Sequence, residues 1–240
     1  MSYSKRTIKR ILKDIKTLEE CREDLEKSGI YFYYDSDILG TFNFIIIGDE
    51  DTPYDGGIYP FKLGISKDPE KEYPFSPPYV EIILPNDGYS RMNPNLYCNG
   101  KVCLSMINTW EGDRWKPTFS LDKIMLAIKA LVMGVKYPLV NEPGHDGDPI
   151  SKLEDYNRCV EHQNFALAVI KMFETRDSKH YGDFGDIIYR IVMEKKEYYI
   201  ERLKEYSKKY AKKKYFTEWT YNMKITNRYK AMLKVIKDLK

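Results

Sequence analysis

Arg91 to Trp115 reads RMNPNLYCNGKVCLSMINTWEGDRW, and the rest of the chain is organised around it. Cys103 lies at its centre. Upstream is a proline-stiffened turn, Asn93-Pro94-Asn95, and next to the cysteine is a second turn, Asn99-Gly100. Downstream, an aromatic loop ends at Trp115-Lys116-Pro117. A thiolate is a strong nucleophile and a good acyl acceptor, so it suits a relay in which an acyl group arrives and then leaves. Thioester-to-thioester transfer is nearly balanced in free energy and needs no nucleotide site of its own. The chain contains neither GxxxxGK[ST] nor GxGxxG. A side-chain amide such as Asn95 is the right type of group to donate to a tetrahedral oxyanion. Taken alone, a cysteine between Val102 and Leu104 reads more simply as a buried core residue.

The neighbours change that reading, because the stretch resembles the active-site segment of the ubiquitin-conjugating enzymes. That family carries His-Pro-Asn, a short spacer, Cys-Leu, and then Trp-x-Pro. Here Pro94-Asn95, Cys103-Leu104 and Trp115-Lys116-Pro117 match, and Asn93 stands where the family has histidine. Asn-Pro-Asn-Leu-Tyr, Gly-Lys-Val-Cys-Leu-Ser and Thr-Trp resemble the subgroup formed by class Z and the conjugating domain of the giant apoptosis-inhibitor protein. Asn141-Glu142-Pro143-Gly144 resembles it too. The resemblance implies an α+β fold in which a four-stranded antiparallel meander packs against helices. It covers residues 1–175 as the conjugating core domain; residues 176–240 read as a helical C-terminal extension.

The resemblance also implies roles. Cys103 is the thioester nucleophile, and Asn95 stabilises the oxyanion or braces the loop. Asn93, Pro94, Leu104, Trp115 and Tyr137 frame the active site. Lys5, Arg6, Lys9, Arg10 and Lys13 on the first helix dock the activating enzyme, although a basic helix face is ordinarily just solvated. Tyr59, Phe75 and Pro117 contact a ligase. Tyr137 stands where many members have an acidic residue that activates the incoming lysine; Glu142, Asp146 and Asp148 are the candidate replacements. The implied partners are ubiquitin or a ubiquitin-like modifier, its activating enzyme, a ligase and protein substrates. No cofactor is implied, since ATP is used by the activating enzyme. Rival readings remain: a non-enzymatic binding module of the same fold, a carrier of another modifier, and ligase-independent transfer with the extension recruiting substrate.

Composition sets the limits. The 240 residues are 42% hydrophobic and 31% charged, which suits a chain able to bury a core. No apolar run is long enough to span a membrane. A net charge of +3 is too small to argue for nucleic acid. Cys21, Cys98, Cys103 and Cys159 are scattered without a CxxC pair, which argues against zinc and against a disulfide framework. A free thiol nucleophile fits a reducing compartment, cytoplasmic or nuclear. His145, His162 and His180 lack metal spacing, and no local protease signature supports a Cys-His-Asn arrangement with Cys103.

Periodicity supplies the elements. Residues 4–27 predict one amphipathic helix with Ile8, Ile11, Leu12, Ile15 and Leu18 inward. Strands follow at Ile30–Tyr34, Gly40–Ile47, a half-buried Phe61-Leu63-Ile65 stretch, and Tyr79–Leu84. Tyr73-Pro74-Phe75-Ser76-Pro77-Pro78 reads as a stiff surface loop that resembles the family's YPFxPP signature. Ser120 is a candidate N-cap for a core helix with Leu121, Ile124, Met125, Ile128, Leu131 and Val132 inward and Gly134 at its end. Residues 152–175 predict another helix. The turn-rich Tyr181-Gly182-Asp183-Phe184-Gly185 break leads into a long helix through Ile187 and Leu203, and a final helix runs from Glu218 to Leu239.

Overall fold

The structure, a computed structural model, describes residues 2–85, 87–178, 181 and 183–240; His180 and Gly182 lie outside the described residues. Helix α1 (Lys5–Glu20) starts at Ser4, whose hydroxyl accepts the Thr7 N–H at 3.1 Å. The predicted single helix is broken at Cys21 (φ −106°, ψ 11°), after which α2 runs from Arg22 to Lys27. The inward stripe is Thr7, Ile11, Asp14 and Leu18, and Leu12 is exposed. Polar groups cause that rotation. Asp14 accepts a hydrogen bond from the Tyr73 hydroxyl and pairs with Arg10 at 3.0 Å, while the Thr7 hydroxyl donates to the Tyr73 carbonyl at 2.8 Å. Burial raises the Asp14 pKa, against the opposing pull of Tyr73 and Arg10.

Strands β1 (Ile30–Tyr33), β2 (Thr41–Ile47), β3 (Ile58–Gly64) and β4 (Tyr79–Ile82) form an antiparallel meander in chain order. The register aligns Phe32, Phe44, Phe61 and Ile82 in one row on the core face. In that row Phe44 and Phe61 stack with ring centroids 5.0 Å apart. Far from half-buried, β3 is covered on nearly its whole length, Lys62 being its one partly exposed residue. The extension adds cover on the neighbouring strand and at the turn. Arg190 lies over the Tyr31 ring on the second face, and the Tyr199 hydroxyl donates to the Gly56 carbonyl at 2.7 Å in the β2–β3 turn.

After the active-site loop, Ser120 occupies the N-cap position of α3 (Leu121–Ala127), but its hydroxyl turns to the Asp122 carboxylate instead of capping. The helix continues in π geometry over Ile128–Met133 and ends at Gly134. The wider winding turns Val132 and Met133 inward and leaves Leu131 59% exposed, against the even-period expectation. Helix α4 (Ile150–Gln163) passes through a π stretch, Asn164–Lys171, into α5 (Met172–Glu174). Leu153, Tyr156, Val160, Ala168, Val169 and Met172 are buried along it.

The extension holds α6 (Gly185–Glu194), α7 (Lys196–Lys209), a hairpin of β5 (Tyr215–Glu218) and β6 (Met223–Thr226), and α8 (Tyr229–Asp238). The hairpin corrects the predicted helix from Glu218. Tyr215-Phe216-Thr217-Glu218 and Met223-Lys224-Ile225-Thr226 each alternate buried and exposed with period two. The buried Glu218 carboxylate closes the turn by accepting N–H groups of Thr220, Tyr221 and Met223. The extension packs on α4 through aromatic rings. Tyr229 lies 4.9 Å from His162, 5.1 Å from Tyr206 and 5.7 Å from Phe216, centroid to centroid. One continuous hydrophobic cluster therefore runs through residues on both sides of position 176. Among the described residues, no helix is long and apolar enough to cross a membrane.

Candidate active site

The site is built on the Asn93-Pro94-Asn95 turn. Asn93 is fully buried and uses three hydrogen bonds. Its Nδ2 donates to the Tyr54 hydroxyl at 2.7 Å and to the Val132 carbonyl at 2.9 Å, and its Oδ1 accepts the Asn95 N–H at 2.7 Å. The Tyr54 hydroxyl in turn donates to the Met92 carbonyl at 2.9 Å. Asn93 thus ties the turn to α3's π continuation and to the loop before β3. It lies beneath the site and has no exposed surface with which to line it.

Two side chains clamp the backbone around Cys103. Asn95 Nδ2 donates to the Cys103 carbonyl at 2.8 Å, and the Cys103 N–H donates to the Asn95 carbonyl at 2.8 Å. On the other side, Thr109 Oγ1 accepts the Leu104 N–H at 2.9 Å and donates to the Val102 carbonyl at 2.8 Å. The Asn99-Gly100 turn, with Gly100 at φ 90°, fastens the segment to β4 because the Ile82 N–H donates to the Gly100 carbonyl at 2.9 Å. Cys103 is 2% exposed. Asn95 spends one amide hydrogen on the Cys103 backbone; the second remains as a donor.

Trp115 and Leu104 are both buried. The Trp115 indole donates to the Pro74 carbonyl at 2.7 Å, its N–H donates to Asn108 Oδ1 at 2.9 Å, and its ring packs on Tyr73 and Phe119. The predicted groove wall is in this way a peg that fixes the loop to the Tyr73-Pro74 segment. Lys5, Arg6, Lys9 and Lys13 are exposed on α1, whereas Arg10 is not a free docking charge. Its guanidinium is held by Asp14 and donates to the Pro117 and Phe119 carbonyls. Phe75 is 58% exposed, with Arg6 5.4 Å over its ring, and Pro117 is exposed.

Tyr59 is corrected outright. It sits inside β3 at 0% exposure and donates to Asn164 Oδ1 at 2.7 Å, so no partner reaches it in this fold. Tyr137 is half-buried and lines a cleft of about 740 Å³ shared with Asp55, Arg158, Tyr198 and Arg202, between α4, the β2–β3 turn and α7. Among the acidic candidates, the Glu142 carboxylate is taken by the Tyr221 hydroxyl. Asp148 is held by Lys152 at 2.8 Å and by His145, and these two partners lower its pKa in that order. Asp146 is exposed. His162 is buried in the aromatic cluster and does not belong to a catalytic pair with Cys103. Burial pushes the Cys159 thiol up to about 12 and raises that of half-buried Cys98. Sequence reasoning missed Thr109, Tyr54, Arg91 and Tyr221. Only Thr109 had a signal, the Thr-Trp pair already noted.

The fold and the clamped thiol define a class: an α+β domain that holds Cys103 in a braced loop beside a four-stranded meander. Comparison with known proteins agrees. The family model described as ubiquitin-conjugating enzyme matches residues 10–164, and the chain belongs to that family. It is 36% identical over 151 residues to ubiquitin-conjugating enzyme E2 Z of Xenopus tropicalis, covering 61% of this chain and 45% of that protein. Probable ubiquitin-conjugating enzyme protein 17 of Caenorhabditis elegans is 33% identical over 185 residues, covering 73% of this chain and 24% of that one. Human BIRC6, a dual E2 ubiquitin-conjugating enzyme/E3 ubiquitin-protein ligase, is 34% identical over 142 residues, covering 58% of this chain and 3% of that one. The chain spans less than half the length of each of these relatives.

Proposed function

We propose that this chain accepts the C-terminal carboxyl of ubiquitin, or of a ubiquitin-like modifier, as a thioester on Cys103 and passes it on. The Cys103 thiolate attacks the carbonyl carbon of the activating enzyme's thioester. A new C–S bond forms, the old one breaks, and the activating enzyme's thiolate leaves. A substrate lysine amine or a ligase thiol then attacks the Cys103 thioester and releases the thiol. The observation that carries this reading is the double clamp. Asn95 and Thr109 hold the backbone on both sides of one cysteine within a chain of this family. The free Asn95 amide hydrogen is the proposed oxyanion donor. Atoms and charge balance without a cofactor of the chain's own.

The exposed lysines of α1 with Arg6 are the proposed contact for the activating enzyme, and Phe75 with Pro117 the proposed contact for a ligase. A thiol relay suits a reducing compartment, cytoplasmic or nuclear. The test is a non-reducing gel after incubation with activating enzyme, ATP and modifier. A reductant-sensitive band shifted by the modifier's mass is expected. A protein that binds modifier but never forms such a band, across a panel of activating enzymes and modifiers, would be the binding module instead.

A further inference from the structure

We propose that Tyr221, in the turn of the β5–β6 hairpin, is a positioning residue for Cys103, acting through Arg91 and the Asn93–Asn95 turn. The hairpin belongs to the extension, yet it is stitched to the segment that carries the site. The Arg91 guanidinium lies 5.1 Å from the Tyr221 ring centroid and 3.4 Å from that of Tyr97. From there it donates to the Asn93 carbonyl at 3.1 Å and to the Pro94 carbonyl at 2.8 Å. Those two carbonyls immediately precede Asn95, whose backbone carbonyl accepts from the Cys103 N–H and whose side-chain amide donates to the Cys103 carbonyl.

Three further ties fix the hairpin in place. The Arg91 N–H donates to Met223 Sδ at 3.3 Å. The Tyr89 hydroxyl donates to the Asn222 carbonyl and accepts the Lys224 N–H. The Tyr221 hydroxyl donates to Glu142. Asn222 sits at φ 55°, so the tip bends back and places Tyr221 against Arg91. Trp219, two residues earlier on the same tip, points away and is 82% exposed. Only one of the two tip aromatics therefore takes part. The catalytic consequence rests on the acyl-carrier reading above; the geometry does not.

The test is made on the full chain with iodoacetamide, and alkylation is read peptide by peptide. Cys103 reports the clamped loop, and Cys159, fully buried under the hairpin, reports loss of the fold. Tyr221→Ala is expected to raise Cys103 alkylation about fivefold with Cys159 unchanged. That factor corresponds to about 1 kcal/mol at 1.4 kcal/mol per tenfold, the scale of an arginine–aromatic contact. Tyr221→Phe, which keeps the ring, stays within about twofold of wild type on the same scale, as does Trp219→Ala. Arg91→Lys, which keeps the charge but not the paired carbonyl bonds, repeats the selective rise. Unchanged Cys103 in Tyr221→Ala and Arg91→Lys, an equal rise at Cys103 and Cys159 in both, or Tyr221→Phe as reactive as Tyr221→Ala overturns the proposal. Discharge of a preformed Cys103 thioester to free lysine supplies the second readout, with a lower rate constant expected for Tyr221→Ala. If wild type forms no thioester, the proposed function fails while the alkylation result still decides the positioning.

Discussion

Acid should loosen the attachment of the extension, and His162 is where the effect is largest to calculate. The ring is 1% exposed. Its Nε2 accepts the Arg228 N–H at 2.9 Å, so the ring proton sits on Nδ1 and is donated to Gln163 Oε1 at 3.1 Å. Protonation would set a second N–H against that of Arg228. Burial is the first cause that pushes His162 down to about 4, from about 6.5 in an unfolded chain. The native state thus prefers the neutral ring, and the unfolded state binds the proton first. The stability from this group is whole above about pH 6.5, falls as pH drops towards 4, and is gone below it, a total of about 3 kcal/mol at 1.36 kcal/mol per unit. Asp14 and Glu161 work in the opposite direction, since burial raises both carboxyls and acid relieves that cost. The difference between wild type and His162→Gln isolates the histidine, because a glutamine oxygen can still accept from Arg228 and does not titrate. Urea unfolding at pH 7 and pH 4.5 should show wild type losing about 2 kcal/mol more than the variant. Parallel losses in the two proteins would refute the reasoning.

Two further outcomes follow from the same contacts. Asn93→Ala strands the Val132 carbonyl and the Asn95 N–H in a dry site, which should cost about 3 kcal/mol and lower Tm by about 6–12 °C in a thermal melt; an unchanged Tm would remove Asn93 from the framework. Deleting residues 176–240 uncovers Phe165, His162 and the Tyr31 ring on β1, so the truncated chain should aggregate or bind a hydrophobic dye on purification; a monomeric truncation with the full-length Tm would show that the core does not need the extension.

The meander was readable because each strand carries its own aromatic or β-branched run, and the helix from 152 because its apolar positions repeat along one face. The hairpin was not. Tyr215–Glu218 and Met223–Thr226 are four-residue strands beside a lysine cluster, and the strong apolar period of Tyr229, Met232 and Ile236 invites the helix to be drawn too far upstream. Tyr59 failed for a different reason. Its burial is decided by Asn164, which lies 105 residues away, and nothing local marks the second layer. Arg10 reads as one of five similar cations on α1, yet the Pro117 and Phe119 carbonyls that occupy it leave no trace in its own neighbourhood. The site divides along the same line. Cys103, Asn95 and Trp115 carry a motif, while Arg91 and Tyr221 act through side-chain bonds to backbone carbonyls and through ring faces, which have no spacing to read.

The central claim is that the transferred acyl group resides on Cys103. Its most direct measurement is mass spectrometry of the adduct formed with activating enzyme, ATP and modifier, kept non-reduced and mapped to a peptide. The account predicts a thiol-labile modifier on Cys103, none in Cys103→Ala, and a thiol-resistant ester or no adduct in Cys103→Ser. A thiol-labile adduct that persists in Cys103→Ala, mapped to Cys98 or Cys159, would contradict it.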